Sequence, residues 1–156
     1  MYTPWEDVCS PKIIAHSQLI TSTYKDLLGE ELFSESTCAE ENAYMLYNSK
    51  SVILSHDGSS NPLFTYANAT AQKLWEFSWG EFIGLPSKHS VEKDGREERQ
   101  GLLEAAHKKG YIKNYRGVRI SKNNRRFAIE GVILWNLNQD GENMAQAAAF
   151  DSWEFL

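Results

Sequence analysis

The chain has 156 residues, 42% of them apolar and 24% charged, a balance that fits one domain around one core and excludes intrinsic disorder. A formal net charge of -5 argues against a surface that tracks nucleic-acid phosphates. No apolar run nears the roughly 20 residues that cross a bilayer, and the N-terminus lacks the basic start and apolar stretch of a secretory signal.

In chain order, Pro11 to about Phe33 carries a helical pattern. Ile13, Ile20, Tyr24, Leu27 and Leu28 share one face of it. Thr37-Cys38-Ala39-Glu40 reads as a capping box opening a short helix with Ala39, Ala43, Leu46 and Tyr47 inward. Val52-Ile53-Leu54-Ser55-His56 and Leu63-Phe64-Thr65-Tyr66-Ala67, separated by Asp57–Pro62, form a hairpin signature. Asn68 can cap a helix carrying Ala71, Leu74 and Trp75, and Ser78-Trp79-Gly80-Glu81 caps a single turn that ends at Gly84.

A longer helix starts near Asp94-Gly95-Arg96-Glu97 and ends at Lys108-Lys109-Gly110. Acids precede bases, as the macrodipole favours, and the glycine supplies a positive φ. Its apolar side is read as Leu102, Leu103, Ala105 and Ala106. Three strands follow. The first runs from Tyr111 to Ile120 and turns at Lys122-Asn123-Asn124. In the second, Arg126 to Leu137, simple alternation sends Phe127, Ile129, Ile133 and Trp135 to one side. Asn138-Gln139-Asp140-Gly141 turns into the third, Met144 to about Trp153. The basic cluster of Lys122, Arg125 and Arg126 falls on the hairpin turn and reads as a solvated turn.

This order resembles the PAS fold. The local match is Tyr66-Ala67-Asn68-Ala69-Thr70-Ala71 followed by Phe77-Ser78-Trp79-Gly80-Glu81-Phe82-Ile83-Gly84. From about Glu40 to Trp153 the chain also resembles the PAS-related MEKHLA domain family. The resemblance lies in Gly110–Ile120, Arg125–Glu130, Leu134-Trp135-Asn136, and Gly141 with Gln146-Ala147-Ala148. It implies an α+β domain over residues 39–156, with a five-stranded antiparallel sheet and helices on one face. A helical extension over residues 1–38 precedes it. The function implied is sensory or regulatory, through a small ligand, self-association or a protein partner, without established catalytic residues. The alternative is an enzyme or small-molecule carrier on another curved-sheet fold with a pocket.

Trp75, Phe82, Leu103, Tyr115, Trp135 and Gln146 are the candidate pocket, apolar walls with a polar group or two that suit a small hydrophobic or aromatic ligand. The same residues would serve a filled core. Ile13, Ile20, Tyr24 and Leu27 are the candidate interface. They would be buried in a homodimer or against the open face of the sheet.

No cofactor is expected. A photoactive flavin PAS domain needs a cysteine before the long helix, where Leu85–Val91 has none, and Ile129 stands where such domains place a polar residue. Gln146 resembles the flavin-facing glutamine. Haem-binding PAS domains use a histidine on the long helix, but His107 near Lys108 and Lys109 reads as a helix-end charge. Cys9, Cys38, His16, His56 and His89 show no metal-ligand spacing, and the two thiols read as reduced in a cytoplasmic protein. His89 beside Ser87 and Ser90 is a local coincidence on a loop rather than a catalytic pair.

Overall fold

An antiparallel sheet forms the middle layer of the computed structural model, which describes residues 2–33, 38–137 and 145–156. Strands β1 (Val52–His56) and β2 (Phe64–Ala67) make the first hairpin. The meander of β3 (Tyr111–Ile120), β4 (Arg126–Asn136) and β5 (Gln146–Phe150) completes the order β2-β1-β5-β4-β3. The final strand bends at Asp151, so its end, β6 (Ser152–Phe155), pairs with the first half of β4. Asn138–Gly141 and Met144 lie outside the described residues.

Helices cover both faces. On one lie α1 (Trp5–Val8), α2 (Pro11–Leu28) and α3 (Ala39–Tyr47). On the other lie α4 (Ala69–Trp75), α5 (Trp79–Phe82) and α6 (Arg96–Lys109). Helix α2 stops five residues before Phe33, because Gly29 (φ 76) takes the left-handed C-cap and donates its N–H to Lys25 O. Thr37 lies outside the described residues. The cap of α3 falls on Cys38, whose Sγ accepts from Glu41 N at 3.4 Å.

The stripe on α2 meets the sheet of its own chain. Ile20 and Tyr24 are buried, and Ile13 and Leu27 are half-buried beside them. The ring of Tyr24 meets Trp135 edge-on at 5.0 Å, and Trp135 Nε1 donates to Thr23 Oγ1 at 3.0 Å. An isolated amphipathic helix gains little from propensity alone, so this face supplies the burial that the stripe needs.

Simple alternation along β4 fails at Gly131. Between the β3 partners Tyr115 and Gly117, β4 places three steps, Ile129 to Val132, against two, and Gly131 adopts φ 65. The extra residue is a β-bulge, and it inverts every later side chain. Phe127, Ile129, Val132 and Leu134 therefore face α4 and α6, whereas Ile133 and Trp135 face α2. The expectation that Trp135 lies on the side of Phe127 and Ile129 is corrected accordingly. Strand β3 carries a compensating bulge between Ile112 and Tyr115, where Asn114 has φ 60, so the two strands regain register by Gly117.

Asn68 joins the two layers. Its Oδ1 accepts from Ile53 N and from Ala71 N, both at 3.1 Å, pairing with β1 and capping α4 at once. Its Nδ2 donates to Leu46 O at the end of α3 and to Ser51 O. The side chain is fully buried. Asn68→Ala leaves four backbone groups without this partner. Urea denaturation is expected to show a loss of about 2–4 kcal/mol, since each stranded buried group costs roughly 1–3 kcal/mol and some re-pair. A loss under about 1 kcal/mol would contradict this role.

Candidate functional site

Between α6 and the sheet lies a cavity of about 60 Å³. Of the six candidate pocket residues, Trp75, Leu103, Tyr115 and Gln146 line it. Phe82 lies one layer back, meeting Trp75 edge-on at 6.0 Å. Trp135 is on the opposite face of the sheet, packed under α2, and leaves the pocket set for the reason the Gly131 bulge provides. The apolar wall is completed by Leu54, Phe64, Ile129, Val132, Leu134 and Phe150.

Local geometry explains how the sheet aims its polar groups. The β3 bulge at Asn114 puts Tyr115, Gly117 and Arg119 on the cavity side. Gly117 makes room for the other two. A Cβ there would lie 2.5 Å from the Tyr115 hydroxyl and 2.9 Å from Arg119 Nη1. Arg119 Nη2 donates to Tyr115 Oη at 3.3 Å, and its guanidinium lies 5.5 Å from the centre of the Tyr115 ring.

Sequence reasoning missed Arg99 and His56. Arg99 precedes Leu103 by four residues and Ala106 by seven, so it shares their buried face of α6, whereas Ala105 is exposed. That spacing was the available signal. Arg99 Nη2 donates to Ser87 Oγ at 2.8 Å, and burial, with the Arg119 charge second, pushes its pKa down to about 10. The Ser90 hydroxyl donates to Ser87 O, while His89 is exposed, so the serines are engaged away from that histidine.

His56 ends β1 opposite Gln146 of β5. Its Nδ1 is 2.8 Å from Asp57 O, a carbonyl that can only accept, so Nδ1 carries the proton and Nε2 presents a bare lone pair. Gln146 Nε2 donates to Leu103 O at 3.0 Å and to Asn136 Oδ1 at 3.3 Å, which fixes the amide orientation. Among the described residues, buried His56 Nε2 and Gln146 Oε1 each lack a donor, although the two side chains are neighbours and a protonated His56 would donate to Gln146. Native proteins leave few such atoms.

His107 does not line the cavity, and its carbonyl accepts from Asn136 Nδ2. Both cysteines are exposed and lie outside the lining. No group of three His, Cys, Asp or Glu side chains among the described residues is placed to hold a metal ion. The turn cations are engaged, Lys122 with Glu81, Arg126 with Glu92, and Arg125 over the Phe155 ring.

Strand order 2-1-5-4-3, short helices after the second strand and a longer helix walling a cavity before the meander define a PAS-type domain. The PAS domain of a Colwellia psychrerythraea protein superposes with a TM-score of 0.61 at 16% identity, covering 72% of this chain and 94% of that one. The Rhodobacter sphaeroides LOV protein gives 0.58 at 11% identity, covering 72% and 63%. A PAS domain in complex with ethanol, from a Burkholderia thailandensis transcriptional regulator in the LuxR family, gives 0.55 at 12% identity, covering 72% and 95%.

The chain belongs to the MEKHLA domain family, which matches residues 14–155. The homeobox-leucine zipper proteins HOX10 and HOX9 of Oryza sativa subsp. japonica are 24% and 25% identical to it over 148 residues. That alignment covers 94% of this chain and 18% of each rice protein's length. The domain is thus a MEKHLA domain with the PAS-type fold. Among the described residues no helix is long and apolar enough to cross a membrane.

Burial pushes the His56 pKa down to about 4, with the Arg99 charge acting the same way against the pull of the Asp57 carbonyl. The unfolded chain takes up this proton near pH 6.5 and the native one does not. This contribution to stability is therefore complete above about pH 6.5. It is lost progressively as pH falls towards 4, by an amount on the order of 3 kcal/mol. The imidazole signals of His56, followed by NMR, are expected to stay in the neutral form down to pH 5. A midpoint near 6.5 would contradict its burial.

Proposed function

We propose that this domain is a ligand-responsive regulatory module in which occupancy of the α6 cavity sets how firmly α6 is held on the sheet. The observation that supports this most is the pair of polar atoms without a donor, His56 Nε2 and Gln146 Oε1, inside a cavity with largely apolar walls. Gln146 bonds to the Leu103 carbonyl on α6, so a group reaching Gln146 is one hydrogen bond from the helix. The other anchors of the helix are Leu102, Leu103 and Ala106 against Leu134, Ile112 and Ala148, the Arg99–Ser87 bond, and the bond from Asn136 to the His107 carbonyl.

The reading is one of binding without catalysis and without flavin or haem. It is supported by the distance of the thiols from the pocket, by the engagement of Ser87 and Ser90, and by a cavity far below the roughly 300 Å³ where drug-sized sites begin. The module acts in a cytoplasmic protein. Contact with a second copy or a protein partner uses surfaces other than Ile20 and Tyr24, which the sheet already covers.

Native mass spectrometry and an absorption spectrum of the purified chain are expected to show a colourless protein carrying a small molecule in part of the population. Stripping it by unfolding and refolding should speed hydrogen exchange in α6 about tenfold or more, with β1 unchanged. A flavin or Soret band, or an α6 exchange rate indifferent to stripping, would contradict the proposal.

A further inference from the structure

We infer that the α6 cavity binds a small hydroxycarboxylate, an inference that rests on the ligand-responsive reading above. Charge comes first. Arg99 and Arg119 both line the cavity, 7% and 8% exposed, and among the described residues no Asp or Glu lines it. The ion pairs found among the described residues join Lys25 to Glu31, Arg116 to Glu130, Lys122 to Glu81 and Arg126 to Glu92, and use neither arginine. Asp57, the acid next to His56, spends its carboxylate on Ser59 N, Ser59 Oγ and Leu63 N. Arg99 and Arg119 donate to neutral oxygens, those of Ser87, Val118 and Tyr115. Two buried guanidinium groups near one another, with no counter-ion among the described residues, are costly, and an anion between them removes that cost.

The second requirement is a donor. His56 Nε2 and Gln146 Oε1 are both acceptors in the arrangement their other bonds fix, and a plain carboxylate has no proton for either. A hydroxyl on the same ligand satisfies one of them while its carboxylate meets Arg99. Size is the third requirement. A volume of about 60 Å³ is several times the roughly 10–15 Å³ one water needs, which admits a molecule of about half a dozen heavy atoms. The walls of Leu54, Ile129 and Val132 favour a short carbon stem over an inorganic anion.

The test is an NMR titration of the full chain, stripped by refolding, at pH 7 with lactate, propionate, propane-1,2-diol and inorganic phosphate. Lactate should shift the signals of Arg99, His56 and Gln146 and bind about fivefold or more tighter than propionate. The diol and phosphate should bind at least about tenfold more weakly than lactate. Arg99→Gln should reduce lactate affinity about tenfold or more, and Gln146→Leu should bring lactate and propionate to equal affinity. Should Arg99→Gln fail to fold, Arg119→Met serves in its place, and the wild-type ranking stands by itself. Equal binding of the diol with the same footprint would overturn the anion while leaving a small-ligand module. Phosphate binding as tight as lactate would overturn the carbon stem. No shift at these residues with any of the four would overturn the inference altogether.

Discussion

Central strands buried on both faces leave no solvent side on which a misplaced side chain can escape. This constraint governs the molecule. Along β1, β5 and the second half of β4 each residue goes to the α2 layer or to the α6 layer, and a one-residue slip exchanges the two sets. In β4 the exchange is built in at Gly131, whose φ of 65 is inexpensive only for glycine. Before it, Phe127 and Ile129 look towards α4 and α6. After it, Val132 and Leu134 do so while Trp135 turns to Tyr24 and Thr23. Asn114 repeats the device in β3, and the pair of bulges aims Tyr115 and Arg119 at one cavity.

The site follows from that geometry. The side of the sheet facing α6 offers aliphatic and aromatic walls, small residues such as Ala148 in β5, and a gap where larger side chains would have met. Around the gap stand two buried arginines with no carboxylate, and two acceptors with no donor, among the described residues. Close-packed interiors hold few voids larger than a water, and empty ones are apolar. A void with this polar lining is costly to leave dry. Polar satisfaction therefore links the fold to a bound molecule, and the Gln146–Leu103 bond links that molecule to α6.

Features encoded within a few residues were legible in the sequence. The capping box of Ser78 and Glu81, the cap formed by Asn68, the hairpin at Asp57 and the positive φ of Gly110 all rest on short-range rules. Trp75, Leu103 and Gln146 were legible as lining because they lie on the expected faces of regular elements, whereas Tyr115 reaches the cavity through the Asn114 bulge. Trp135 was not, since its side depends on a bulge that only an isolated glycine between Glu130 and Val132 announces. Arg99 was hidden by its type. An arginine on a charged helix reads as solvated, and only its spacing to Leu103 and Ala106 marks it as buried. The docking of α2 was open between two partners, because a stripe specifies an apolar surface and not whose surface it is.

The central claim is that the space beneath α6 is a cavity kept for a ligand and not an ordinary packed core. Ala148 lies on its floor, opposite Leu54 and Leu134 in the neighbouring strands. Chemical denaturation of Ala148→Val in stripped protein measures the difference directly. Two added methyl groups in a close-packed core typically cost about 1–3 kcal/mol, whereas in an open cavity they bury apolar surface without a clash. The account predicts a stability equal to or above that of the wild type. A loss within the overpacking range would contradict it.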